Sequence, residues 1–276
     1  MLTVASPFSN APGTVRLLLD RRASSNDAPA EGFCREEPTG PFILDTAGTR
    51  HLYFNLLAVQ SSMRLDEPDV LVTAYAQKMM AFLLFNRAPR HILMIGLGGG
   101  SLVKFCYRHL LDTRLTVVEI DPDIIELREW FHIPADDDRL QVILGDGAEF
   151  VRRGDWTADI LLIDAFDPGG VAPSLASEDF YAQAFRCLGS NGVLVMNLAG
   201  ERGRYVAHLQ MLREACPGPI LLVPVEADGN VLIFAFSQPL GMWTLESVEA
   251  TADELKFELD LEFPRFLQRL RTGHLL

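Results

Sequence analysis

The sequence predicts an α/β protein whose main domain is a mostly parallel β-sheet with helices on both faces. From His91 onward, short runs of branched apolar residues alternate with helix-length segments. Strands that are buried on both faces have continuous apolar sequences, and parallel neighbours need a crossover, which is usually a helix. The chain has 276 residues, which is enough for this domain and a smaller one before it.

The alternating region predicts five strands, each followed by a helix. The strands are expected at 91–95, 115–120, 140–144, 159–164 and 192–198. The helices are expected at 101–111, 123–131, 146–153, 177–188 and 202–215. Two further apolar runs within 219–236 flank the turn sequence Ala-Asp-Gly-Asn and predict a hairpin at the sheet edge.

The segment before the alternating region predicts a small antiparallel β-domain. Residues 42–65 contain short apolar runs separated by turn residues, and the DTAGT sequence at 45–49 is typical of a hairpin turn. The chain therefore divides into four predicted parts. These are a partly flexible N-terminal segment at 1–40, a small β-hairpin domain at 41–70, the α/β domain at 71–240 and a helical segment at 241–276.

The charge distribution argues against nucleic acid and membrane partners. The chain has 24 basic and 37 acidic residues, a net charge of −13, and fifteen of the acids lie between Asp112 and Asp167. A negative field of this kind repels phosphates and anionic lipid surfaces and attracts cations. We therefore expect a cationic small-molecule partner.

Cysteine spacing and the absence of long apolar runs exclude further classes of protein. The four cysteines lie far apart and form no CxxC or Cys/His cluster, so neither a metal site nor a disulfide framework is expected. The N-terminus has no basic segment followed by an apolar one, and no apolar run approaches the roughly 18 residues of a membrane span. These observations favour a cytoplasmic protein.

Two motifs follow the first two predicted strands. The sequence IGLGGGS contains Gly96, Gly98 and Gly99, which allow sharp backbone turns and close approach of a ligand to a helix N-terminus, although a plain loop would also explain them. Glu119 lies 23 residues after Gly96, near the offset expected for an acid that holds ribose hydroxyls, or it is a surface acid at a strand end. Asp121 precedes a proline and could cap the next helix.

Two more motifs follow the third and fourth strands. Asp146, followed by Gly147, could accept a hydrogen bond from an exocyclic amine such as adenine N6, or could equally cap the helix that follows. Asp164 and Asp167 could hold a cationic amine, and their mutual repulsion would raise one pKa and make a better base. The alternative is a turn in which aspartate is a local acceptor.

All four motifs fall at the carboxyl ends of consecutive strands, where open α/β sheets bind ligands. Their order is a glycine loop, a ribose acid, a base-binding acid and an acidic reaction loop. This order favours an adenosine ligand over a full dinucleotide, although a nicotinamide cofactor is not excluded.

These motifs resemble the spermidine/spermine synthase family over roughly residues 42–237. The resemblance implies a Rossmann-like domain of the class I S-adenosylmethionine-dependent methyltransferase type, preceded by a small β-domain, and it implies a homodimer. The family reaction moves an aminopropyl group from decarboxylated S-adenosylmethionine to an amine. The family usually has an aspartate where this chain has Gly99.

The resemblance also implies roles for individual residues. Glu119 would bind ribose, Asp146 and Gly147 would hold adenine, and Gln60 and Gln77 would line the donor pocket. Asp164 would be the catalytic carboxylate that orients or deprotonates the attacking amine, and Asp167 would hold the acceptor.

Two alternatives to aminopropyl transfer remain open at this point. Replacement of the loop aspartate by Gly99 removes a repulsion toward the carboxylate of S-adenosylmethionine itself, so the chain could be a methyltransferase with that donor. The third hypothesis is a catalytically silent adenosine-binding protein.

Overall fold

The computed structural model describes most of the chain from residue 40 onward and two short strands before it. The described residues are 2–5, 14–17, 40–54, 59–167, 170–171, 173–198, 202–225, 227, 229–239, 245–263 and 267. The loop predicted at 23–32 lies outside them. Among the helices of the described residues, none is long and apolar enough to cross a membrane.

The N-terminal part forms a five-stranded antiparallel sheet whose strands pair in chain order. The strands are β1 (Leu2–Ala5), β2 (Thr14–Leu17), β3 (Phe42–Thr46), β4 (Thr49–Tyr53) and β5 (Val59–Arg64). The predicted turn connects β3 to β4, where Ala47 and Gly48 both have positive φ angles. Two strands from the first 40 residues thus extend the predicted hairpin into a larger sheet.

The main sheet has seven strands in the order β13-β14-β12-β9-β6-β7-β8. Strands β6 to β9, β12 and β13 share one direction, and β14 runs antiparallel to its two neighbours. The bounds are β6 (His91–Ile95), β7 (Arg114–Glu119), β8 (Leu140–Leu144), β9 (Ala158–Ile163), β10 (Phe166–Asp167), β11 (Gly170–Val171), β12 (Leu188–Leu198), β13 (Ile220–Val225) and β14 (Asn230–Phe236). This confirms the mostly parallel sheet, and β10 pairs with β11 as a separate two-residue ribbon.

Helices cover both faces of this sheet, as predicted. Side chains alternate along β6, so that Ile92 and Met94 pack with α1, α2, α3 and α7, and Leu93 and Ile95 pack with α4, α5 and α6. The helices are α1 (Ala74–Met79), α2 (Ser101–His109), α3 (Pro122–Glu126), α4 (Gly147–Arg153), α5 (Glu178–Cys187), α6 (Arg202–Ala215) and α7 (Leu245–Leu259). A 3₁₀ helix at Met80–Leu84 continues α1.

The helix predicted at 123–131 is shorter in the structure and ends at Glu126. The following residues form turns: the backbone N–H groups of Leu127 and Arg128 donate three residues back, to Ile124 and Ile125, instead of four. The buried ammonium of Lys104 on α2 donates to the carbonyl oxygen of Phe131 at 2.8 Å. This contact holds the turn segment against α2.

Arg50 of β4 connects the antiparallel sheet to the main domain. Its guanidinium makes two hydrogen bonds to the carboxylate of Asp45, at 2.7 and 2.8 Å, and a third to the backbone carbonyl of Trp130. The two side chains of the ion pair are only 9% and 15% exposed. The ion pair therefore holds the guanidinium in a largely dry environment, and its bond to the Trp130 carbonyl joins the antiparallel sheet to the segment after α3.

Replacing Arg50 with Met should lower the free energy of unfolding by about 3 kcal/mol, because it removes the guanidinium from a buried carboxylate. Adding Asp45→Asn should recover part of the loss. Chemical denaturation measures both effects. The matched control is Arg64→Met, which breaks the exposed pair of Arg64 and Asp66 and should be close to neutral. Equal losses for the two arginine variants would contradict this interpretation.

Candidate active site

A cleft lies at the carboxyl ends of β6 and β9, where the strand order reverses. From β6 the chain continues to β7 on one side, and from β9 it continues to β12 on the other. Ligands of open α/β sheets bind at such a switch point. The cleft has a volume of about 1210 Å³ and is also lined by residues of β5. Eight predicted site residues line it: Gln60, Gly96, Gly98, Gly99, Glu119, Asp146, Gly147 and Asp164.

The glycine loop requires glycine for two different reasons. Gly96, Gly98 and Gly100 have φ angles of 96°, 51° and 65°, in the region that favours glycine. In addition, a Cβ atom on Gly96 would overlap the backbone carbonyl oxygen of Asp164, whereas a Cβ atom on Gly98 would meet open space. The glycine loop and the segment after β9 are therefore in direct backbone contact.

Glu119 ends β7 and is 7% exposed at the floor of the cleft. One carboxylate oxygen accepts from the backbone N–H of Leu97 at 2.7 Å, and the other accepts from that of Asp121 at 2.9 Å. Each oxygen keeps a further lone pair. The carboxylate thus braces the glycine loop, and its contact with ribose stays a prediction.

Asp146 and Asp121 both have capping roles. Asp146 Oδ1 accepts from the backbone N–H of Ala148 at 2.7 Å and of Glu149 at 3.2 Å, at the start of α4. Asp121 accepts from the N–H of Asp123 at 2.9 Å at the start of α3. Asp146 both caps α4 and lines the cleft, and its contact with adenine stays a prediction.

Asp164 lines the cleft directly after β9. Its Oδ1 accepts a hydrogen bond of 2.9 Å from Nδ2 of Asn197, and the hydroxyl of Tyr75 also bonds to its carboxyl group. Burial raises the pKa of Asp164 above its ordinary value, and the two hydrogen bonds partly oppose this effect. A carboxylate with a raised pKa is suited to accept a proton near neutral pH.

The remaining two predicted site residues are not placed in the cleft by the structure. Gln77 does not line it, and its side-chain amide instead donates to the carbonyl oxygen of Leu71 at 2.8 Å. The expectation that Gln77 lines the donor pocket does not match this position. Asp167 lies in β10, and its side chain is outside the described part of the structure.

Four residues that the sequence analysis did not select contribute to the cleft. Tyr75 and Asn197 bond to the carboxyl group of Asp164, and Asn230 bonds to Asn197. Ile120 is 66% exposed and lines the cleft next to Glu119, so its apolar side chain is available to pack against a flat base. Ile120 could have been found from the sequence, as an apolar residue between two acids. Tyr75, Asn197 and Asn230 come together only through the folded structure.

The side of the cleft next to Gly99 carries neutral polar groups. Ser61 on β5 and Ser101 on α2 both line the cleft, with their hydroxyl oxygens 3.4 Å apart. A Cβ atom on Gly99 would lie 2.5 Å from the Ser61 hydroxyl oxygen and 3.0 Å from a ring carbon of Phe131. Ser61 therefore fills the space that a side chain at position 99 would need.

Comparison with known proteins assigns the family. A family model described as the spermine/spermidine synthase domain matches residues 72–214. The polyamine aminopropyltransferase of Chromobacterium violaceum is 36% identical over 85% of this chain and 92% of its own length. That of Neisseria meningitidis serogroup A is 34% identical over 84% and 89%. The chain belongs to the spermine/spermidine synthase family.

Solved structures support the fold of this spermine/spermidine synthase family member. A spermidine synthase in complex with the transition-state analogue AdoDATO has a TM-score of 0.61 and 18% identity, over 80% of this chain and 85% of that one. Human methyltransferase-like protein 13 in complex with SAH has a TM-score of 0.63 and 24% identity, over 68% and 93%. At these identities the likeness concerns the fold alone.

The contact of the glycine loop with Asp164 gives a stability prediction. Gly98→Ala should lower the free energy of unfolding by about 1 kcal/mol, because only the positive φ angle is strained. Gly96→Ala should lower it by more, since the new methyl group also displaces the backbone of Asp164. Thermal unfolding of the two variants checks the order, and equal losses would contradict the contact.

Proposed function

We propose that this chain transfers an aminopropyl group from decarboxylated S-adenosylmethionine to an amine of a polyamine. The observation that carries the proposal is the buried carboxylate of Asp164, held by neutral donors at the same sheet edge as Glu119. The names of the relatives from Chromobacterium violaceum and Neisseria meningitidis support the same reaction.

The proposed reaction is an in-line displacement at carbon. The acceptor nitrogen attacks the propyl carbon that is bonded to the donor's sulfonium, and the N–C bond forms as the C–S bond breaks. The electron pair of the broken bond stays on sulfur, which leaves as methylthioadenosine. Because a protonated amine has no lone pair for the attack, the ammonium first gives a proton to Asp164.

The donor half of the cleft would bind adenosine. Glu119 is proposed to accept from the ribose hydroxyls, and Asp146 with Gly147 to bind the adenine edge, with Ile120 against the ring face. Gln60 and the glycine loop would surround the sulfonium and its propyl chain. This places the propyl carbon between Glu119 and Asp164.

The acceptor half would bind a cationic amine. Asp164 is proposed to orient the attacking nitrogen and take its proton, and Asp167, three residues later on the same loop, to hold the acceptor. Electrostatic attraction between two carboxylates and an ammonium in a partly enclosed cleft favours such a substrate over a neutral or anionic one.

The setting of the reaction is also a proposal. We propose a cytoplasmic homodimer that needs no metal and binds no nucleic acid, in line with the acidic sequence and the bacterial relatives. The divisions at residues 70 and 240 are retained as the proposed domain organisation, whereas β1 and β2 from the predicted N-terminal segment at 1–40 belong to the same antiparallel sheet as residues 42–64.

The donor assignment is tested by calorimetry and product analysis. The protein should bind methylthioadenosine and decarboxylated S-adenosylmethionine, and incubation with putrescine or spermidine should give a product heavier by one aminopropyl group in mass spectrometry. Glu119→Ala should abolish nucleoside binding, because the ribose hydroxyls lose their acceptor.

The groups that line the cleft around Gly99 are neutral, so they do not repel the carboxylate of S-adenosylmethionine. Binding of this molecule should therefore be compared with binding of its decarboxylated form. Tighter binding of S-adenosylmethionine, together with a product heavier by a methyl group, would replace the proposal by methyl transfer. Nucleoside binding without any product would indicate the catalytically silent alternative. Unchanged affinity in Glu119→Ala would contradict the ribose assignment.

The raised pKa of Asp164 predicts the behaviour of Asp164→Asn. The variant should lose about 10²- to 10⁴-fold in kcat, the range expected for a general base. In the wild type, kcat/KM should fall on acidification at a pH above the ordinary aspartate value of about 4, because burial raises the pKa. Steady-state kinetics across pH measures both.

The same variant should be more stable than the wild type at pH 7. Because the pKa is raised in the folded state, stability falls as the pH rises from the unfolded-state pKa of about 4 through the folded-state pKa, and it stays lower above that; asparagine avoids this loss. The advantage should disappear below about pH 4, where the wild-type carboxyl is protonated in both states. A variant that is inactive and also less stable at pH 7 would point to structural damage.

A further inference from the structure

Two amide side chains form a hydrogen-bonded chain that ends on Asp164. Asn197 lies on β12 and is 1% exposed. Its Nδ2 donates to Asp164 Oδ1 at 2.9 Å, and its Oδ1 accepts from Nδ2 of Asn230 at 3.0 Å. Asn230 is the first residue of β14 and is half-buried at the wall of the cleft. The two hydrogen bonds therefore connect the cleft wall to the carboxylate of Asp164.

This arrangement permits one orientation of the Asn197 amide. An ionised carboxylate only accepts hydrogen bonds, so the NH₂ group of Asn197 must face Asp164. The opposite orientation would place the Asn197 oxygen against the carboxylate and its NH₂ group against that of Asn230. Both contacts would be repulsive in a buried site. The carboxylate of Asp164 thus sets the orientation of the Asn197 amide, and the bond from Asn230 to the Asn197 oxygen supports it.

Few other groups act on this carboxylate. Tyr75 of α1 bonds to it. The backbone N–H of Asp164 donates to the Ile95 carbonyl at 3.0 Å. The two side chains that lower its pKa, those of Asn197 and Tyr75, are both neutral donors. The other carboxylates along the described cleft wall are those of Glu119, Asp121 and Asp146, at the ends of β7 and β8.

We propose that Asn197 and Asn230 are positioning residues that keep the carboxylate of Asp164 oriented and ionised for removal of a proton from the acceptor ammonium. The idea that a proton is removed rests on the proposed function, whereas the effect of the amides on the carboxylate does not. Asn197 acts directly by donating to Oδ1, and Asn230 acts through Asn197. Neither amide needs to contact the donor.

The test uses two variants that keep the number and branching of the side-chain heavy atoms, and one matched control. Asn197→Leu removes a hydrogen bond to a buried charge, so it should raise the pKa of Asp164 by about one to two pH units. Asn230→Leu leaves Asn197 free to turn and should give a smaller shift in the same direction. Asn191→Leu changes an exposed asparagine of the same strand and should give none.

Two readouts separate positioning from packing. The first is the acidic limb of the pH profile of kcat/KM, which should move upward in both variants while binding of methylthioadenosine stays unchanged. The second is the titration of the Asp164 carboxyl carbon by NMR, assigned by comparison with Asp164→Asn. Asn230 is only half-buried, so Asn230→Leu keeps the proposal testable if Asn197→Leu fails to fold.

Each outcome supports or overturns one proposal. An upward shift of the acidic limb and of the carboxyl titration, absent in Asn191→Leu, supports the positioning role. An unshifted carboxyl titration in folded Asn197→Leu and Asn230→Leu overturns it. If the wild type transfers no aminopropyl group, the proposed function fails, and the NMR titration still decides whether the two amides control the ionisation of Asp164.

Discussion

The close approach between Gly96 and the backbone of Asp164 is the constraint on which the rest of the site depends. β6 and β9 are hydrogen-bonded neighbours, and the ladder extends one step beyond them through the bond from Asp164 N–H to the Ile95 carbonyl. Any side chain at position 96 would separate the two loops. Because the position is a glycine, the proposed donor and acceptor halves meet with only backbone between them. An in-line displacement needs this proximity.

The partners of Asp164 explain how a buried carboxylate can still attract a cation. An arginine beside it would hold it ionised but would also neutralise its charge and repel an ammonium substrate. Tyr75 and Asn197 are neutral donors, so they stabilise the carboxylate while its net negative charge remains. Burial and hydrogen bonding thus act in opposite directions on one pKa, and burial is the larger effect.

The elements that sequence reasoning located are those with local signals. The strands at His91–Ile95 and Leu140–Leu144 were predicted at their observed bounds because each is an apolar run between turn residues. The partners of Asp164 were missed because they are non-local: β12 and β14 approach it through the strand order, which periodicity does not encode. Tyr75 and Gln77 are two positions apart on a short helix, so they point in different directions, and the contacts of the packed helix show that Tyr75 faces the cleft.

The acidic segment between Asp112 and Asp167 contributes to the cleft less than its net charge suggests. Asp159 accepts from the backbone N–H groups of Arg90 and His91 at the opposite edge of the sheet, and Asp137 accepts from two N–H groups at the start of β8. In physiological salt the Debye length is about 8 Å, so exposed charges farther away than this are largely screened. The attraction of the cleft for a cation therefore depends on the few carboxylates that line it, rather than on the total charge of the segment.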